Sequence, residues 1–61
     1  MQKTVFEAVK LIEALGGRLS DVKKDSSGSN VYVFELKGSE IEVNSRCIKA
    51  FIQALKSLLT N

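Results

Sequence analysis

Five basic side chains are spaced as an anion-binding surface would space them. Arg46, Lys49, Gln53 and Lys56 recur at intervals of three, four and three residues, which is one stripe of a helix. Lys23 and Lys24 stand at the lip of the polar segment Asp25-Ser26-Ser27-Gly28-Ser29-Asn30. Arg46 falls where a first helical turn is expected, and the helix dipole disfavours a cation there by roughly 0.3–1 kcal/mol. A cation beside the free amides of a helix start suits an incoming phosphate. Lys23, Lys24, Arg46, Lys49 and Lys56 are therefore the candidate nucleic-acid-binding residues, acting through sequence-independent phosphate contacts. Tyr32 and Phe34 read as core, so no aromatic is expected to stack on bases and read them.

Other chemistries have fewer residues to work with. The chain has no His, no Trp, no Pro and one Cys, Cys47. A Ser-His-Asp or Cys-His site lacks its imidazole, and a zinc cluster or disulfide framework lacks its ligands within one chain. Of the seven carboxylates, only Glu35 and Glu42 are expected to be neighbours, on an open sheet face rather than in the cleft that acid–base catalysis needs. Cys47 lies near a helix start, where a thiolate is favoured; its place in the pattern reads as a small buried or half-buried residue. Ser26-Ser27-Gly28-Ser29 lacks the following Lys-Ser/Thr of a phosphate loop and reads as a mobile hairpin loop. The expectation is a non-enzyme with no catalytic residues, no metal and no cofactor.

Nine Lys and Arg against seven Asp and Glu leave a net charge of +2, far from that of a DNA-packing protein. No apolar run approaches the 18 residues of a membrane span. The start, Met1-Gln2-Lys3-Thr4, leads into an amphipathic pattern containing Glu7 and Glu13 rather than a secretory signal. With one unpaired Cys, a reducing, cytoplasmic location without membrane contact is expected.

The elements that must position these residues are legible. Thr4-Val5-Phe6-Glu7 has the form of a capping box. Val5, Ala8, Val9, Leu11, Ile12 and Leu15 follow at helical period, and Gly16-Gly17 is a stop signal, so a helix is expected over 4–15. Residues 30–37 and 40–44 read as strands joined by a two-residue type II′ turn at Gly38-Ser39. That register pairs Lys37 with Glu40, Leu36 with Ile41, Glu35 with Glu42 and Phe34 with Val43. It places Tyr32, Phe34, Leu36, Ile41 and Val43 on one face, with Val31, Val33 and Glu35 on the other. Residues 18–24 form a weaker strand; Leu19 and Val22 are three apart, so a bulge or an exposed apolar side chain is expected. Asn44 or Ser45 caps a final helix over 45–59, with Ile48, Phe51, Ile52, Leu55, Leu58 and Leu59 as its apolar stripe.

Two amphipathic helices and one apolar sheet face predict a single α+β domain over 1–61. It is a two-layer α-β-β-β-α sandwich, with a three-stranded antiparallel sheet and both helices packed on one face. At 61 residues, only about 60% of the extended chain's surface can be buried, so the core must be small.

This order resembles the double-stranded-RNA-binding fold, including its miniature form in the HicA-type messenger-RNA interferases. The residues that carry the resemblance are Leu11-Ile12-Glu13-Ala14-Leu15-Gly16-Gly17 leading to Arg18, the loop between the first two strands, and the final helix from Ser45. It implies RNA contact from that loop and from the start of the last helix, where this chain places Lys23-Lys24 and Arg46/Lys49. The interferases' strand His has no counterpart here, so nuclease activity is not implied.

A protein-interaction module is the competing class. Val31, Val33 and Glu35 on the open sheet face would bind a partner protein, as in an inhibitor, an antitoxin-like protein or an adaptor, or a second copy in a homodimer.

Overall fold

The computed structural model describes residues 2–60; Met1 and Asn61 lie outside the described residues. Helix α1 spans Lys3–Ala14, followed by strands β1 (Arg18–Lys24), β2 (Asn30–Leu36) and β3 (Ser39–Asn44). A single 3₁₀ turn, Ser45–Cys47, leads into helix α2, Ile48–Thr60. The strands form one antiparallel sheet in the order β1-β2-β3. Both helices pack on one of its faces, so the expected α+β two-layer architecture is the one observed.

The core is built around β2. Val5, Ala8 and Ile12 of α1 and Ile48, Ile52 and Leu55 of α2 close over Tyr32, Phe34 and Val43. Phe34 is completely buried, and its ring stacks on Phe51 at a centroid distance of 5.0 Å. The buried part of the α2 stripe ends at Leu55, while Leu58 and Leu59 are exposed. In β1 the pairing register shifts between Leu19 and Asp21, leaving Ser20 as the extra residue of a bulge. Leu19 then stands opposite Phe34 and Val22 opposite Tyr32, so both point to the helix side. Val22 remains about half exposed, so the bulge and the exposed apolar residue occur together.

The ends of α1 differ from expectation at one side only. Its N-cap is Gln2, with no side-chain capping bond, so the Thr4–Glu7 capping box does not form. Thr4 is already inside the helix, and Glu7 is drawn instead to Lys56 on α2 at 3.2 Å. At the other end, Gly17 N–H donates to Ile12 O and Gly16 N–H to Glu13 O, a double-bonded Schellman stop. Gly17 has a second role. A Cβ there would lie 2.3 Å from the carbonyl oxygen of Glu35, so only glycine lets the chain leaving α1 pass this closely over β2.

The β2–β3 hairpin corrects the expected register by two residues. Leu36 pairs with Ser39, Glu35 with Glu40, Phe34 with Ile41 and Tyr32 with Val43. The loop is Lys37-Gly38, with φ of +54° and +81°, rather than Gly38-Ser39. Positive φ at both central residues is the type I′ pattern, whose twist matches that of the strands. A shift of two preserves every side chain's face, so the apolar face survives the correction. The repulsion expected between Glu35 and Glu42 moves to Glu35 and Glu40, because Glu42 now faces Val33.

Lys37 is exposed and sits in the left-handed region, which costs a non-glycine residue about 1–2 kcal/mol and Asn less. Lys37→Asn, which creates the preferred Asn-Gly turn, should stabilise the domain by about 0.5–1 kcal/mol, raising Tm by roughly 2–8 °C in a thermal melt. Gly17→Ala, by contrast, should destabilise by about 1–3 kcal/mol through its clash with the Glu35 carbonyl; an unchanged Tm would show that the close approach is not needed.

Candidate nucleic-acid interface

The β1–β2 connection is closed by one carboxylate. Asp25 Oδ1 accepts from the Ser27 amide (2.9 Å), the Ser27 hydroxyl (2.7 Å) and the Ser29 amide (3.0 Å). The backbone adds Asp25 N–H to Ser29 O and Gly28 N–H to Asp25 O. The segment expected to be a mobile polar loop is therefore a turn internally bonded around Asp25. Asp at the first position of a turn does this because its short side chain reaches the amides two and more residues ahead. These bonds, led by the Ser27 hydroxyl, hold the Asp25 carboxyl below its ordinary value of 3.8 despite an opposing desolvation effect.

The other carboxylate oxygen ties the loop to the last helix. Asp25 Oδ2 accepts from Asn44 Nδ2 at 2.8 Å. Asn44 Oδ1 in turn accepts from the Arg46 amide at 2.9 Å, the N-cap bond that starts the Ser45–Cys47 turn. The Arg46 side chain then folds back, with Nη2 donating to Ser27 Oγ at 3.1 Å and lying 3.3 Å from Ser29 Oγ. From the other side Lys24 Nζ donates to Asn30 Oδ1 at 3.1 Å and to Gly28 O at 3.4 Å. Arg46 and Lys24 thus converge on one loop, and among the described residues neither has a carboxylate ion pair.

The remaining candidate cations are elsewhere. Lys23 points to the outer sheet face and pairs with Glu42 at 2.8 Å, which raises its pKa above the usual lysine value. Lys56 pairs with Glu7. Lys49 makes no ion pair or hydrogen bond among the described residues; with Thr4, Ile52 and Gln53 it lines a groove of about 360 Å³ between the helices. The candidate surface is therefore divided: Lys24 and Arg46 meet at the loop, Lys49 stands one helical turn further along, and Lys23 and Lys56 are held by carboxylates.

The outer sheet face also differs from expectation. Val31 is partly buried and Val33 only 4% exposed, although both helices pack on the opposite face. Val33 lies in register between Asp21 and Glu42, and the Lys23–Glu42 ion pair joins β1 to β3 over the central strand. Those strands are about 10 Å apart, so the two side chains must lie along the sheet and roof Val33 with their methylenes. Arg18–Glu35, at 2.9 Å, makes a second pair on this face. Cys47, expected to be buried or half-buried, is exposed, because Ile48 takes the inward position at the start of α2.

No family model, no curated protein and no solved structure matches the chain. The element order is that of the double-stranded-RNA-binding fold, which is a statement about topology. Among the described residues no helix is long and apolar enough to cross a membrane.

The Asp25 geometry is open to direct measurement. Its lowered pKa means that the ionised form is favoured by folding, so this stabilisation is present above about pH 4 and is lost as pH falls through the folded value. In an acid NMR titration the Ser27 and Ser29 amide shifts should report one carboxyl with a midpoint below 3.8. They should not titrate in Asp25→Asn. A midpoint at or above the ordinary value would show that the carboxylate does not organise the loop.

Proposed function

We propose that this protein is a small, non-catalytic regulatory domain that binds nucleic acid, RNA rather than DNA, through sequence-independent phosphate contacts. The observation that carries the reading is the convergence of Arg46 and Lys24 on the β1–β2 loop, with Lys49 one turn along and, among the described residues, no carboxylate ion pair at any of the three. A local concentration of cations is what attracts a polyanion when net charge is as low as +2. The choice of RNA rests on the shared topology: in the fold that the chain resembles, the first strand loop and the start of the last helix are the RNA-contacting places. The kinship with HicA-type interferases belongs to the same proposal, without their catalytic His.

Lys23 and Lys56 complete the surface by exchanging their carboxylate partners for phosphate. Exposed ion pairs of this kind are screened by solvent and contribute little, so the exchange is inexpensive. Docking of a protein on the outer sheet face has less support than the sequence pattern suggests, because Val33 is already covered.

Fluorescence anisotropy against duplex RNA, duplex DNA and single strands tests the proposal. With three to five phosphates neutralised, log affinity for a duplex should fall with log salt at a slope of about −2.5 to −4.5. Arg46→Glu should weaken binding to all sequences alike and reduce the slope by about 1–2 units. A slope near zero, or an Arg46→Glu variant that binds as well as the parent, would refute it.

A further inference from the structure

Ser27 has one hydroxyl proton, and Asp25 takes it. Ser27 Oγ is 2.7 Å from Asp25 Oδ1, and an ionised carboxylate can only accept. What Ser27 offers outward is its lone pairs, and Arg46 Nη2 donates to them at 3.1 Å. Ser29 Oγ lies 3.2 Å from Ser27 Oγ and 3.3 Å from the same Arg46 nitrogen. The negative charge of Asp25 is thus relayed to the guanidinium through one hydroxyl. Where it meets Arg46, Ser27 presents an acceptor, and behind it stands a carboxylate. That environment suits a cation and is unfavourable to a phosphate, which brings only acceptors and negative charge of its own.

We propose that the Asp25–Ser27–Arg46 chain is an autoinhibitory clasp, which holds Arg46 on the β1–β2 loop until a nucleic-acid phosphate draws the guanidinium away from it. The inference rests on the nucleic-acid reading above and adds a regulatory element to the same site. Lys24, tied to Gly28 O and Asn30 Oδ1, is a second cation held on the loop by neutral acceptors. The clasp is weak enough to open: its direct partners are neutral hydroxyls at an exposed position, and each such bond has a small net value because water replaces it.

The consequence runs against the usual effect of removing a polar group from a binding site. Ser27→Ala deletes the relay while leaving Asp25 Oδ1 bonded to the Ser27 and Ser29 amides, so the turn is kept. It should bind duplex RNA about two- to tenfold more tightly than the parent, the equivalent of one released hydrogen bond. Ser26→Ala is the control, since Ser26 lies in the same loop and makes no side-chain bond to Arg46 among the described residues; its affinity should be unchanged. Alongside, ¹⁵N NMR of the Arg46 guanidinium without RNA should show slower side-chain motion in the parent than in Ser27→Ala; equal motion in the two would overturn the clasp as well. Binding by the parent with equal or weaker affinity in Ser27→Ala overturns the clasp and leaves the nucleic-acid reading standing. If neither protein binds duplex RNA below about 100 μM at low salt, the weak limit of non-specific binding, the nucleic-acid reading fails and the clasp fails with it.

Discussion

The burial of Phe34 is the constraint on which the rest of the structure depends. A chain of 61 residues has room for one small core, and this ring, fully buried on the central strand, is its middle. Its neighbours are set by where it must go. Ile41 pairs with it across β3, Leu19 stands opposite it on β1, and Phe51 of α2 stacks on it. The bulge at Ser20 follows from the same demand, since without an extra residue Leu19 and Val22 could not both face the helices. The close passage of Gly17 over Glu35 brings α1 down onto the sheet that carries this ring.

Charge is distributed around that core in two ways. On the uncovered sheet face, cations and carboxylates are joined strand to strand, Arg18 to Glu35 and Lys23 to Glu42, and the second pair spans the central strand from β1 to β3. A sheet protected in this way offers little apolar surface to another chain. At the opposite kind of location, the junction of the β1–β2 loop with the start of α2, cations meet neutral oxygens instead. Among the described residues no carboxylate touches these cations directly, although Asp25 stands one hydroxyl behind Arg46.

The secondary structure and the choice of faces were legible because both follow from periodicity. The apolar face Tyr32/Phe34/Leu36/Ile41/Val43, the two helices, the stop at Gly16-Gly17 and the Asn44 cap all rest on residues close in sequence. The hairpin was legible in face but not in register. Turns at Lys37-Gly38 and Gly38-Ser39 differ by two residues in pairing and leave the faces identical, so patterning cannot separate them. The structure takes the Lys37-Gly38 turn with type I′ geometry, even though this places Lys37 at positive φ. The Thr4–Glu7 capping box failed for a different reason: the helix is already under way at Lys3, so Thr4 lies inside it, and Glu7 meets Lys56 on a helix more than forty residues away in sequence.

By itself the sequence determined the fold class, the faces of each element and the short list of cations, because each is a local property of spacing and side-chain type. Only the tertiary structure decided how those cations are used. It sent Lys23 to Glu42 and Lys56 to Glu7, covered Val33, exposed Cys47 and brought Arg46 onto the serines of a loop seventeen and nineteen residues away. Ion pairs and side-chain hydrogen bonds act over a few ångströms between residues distant in sequence. Their partners are therefore set by how the strands and helices are brought together, which no periodicity records.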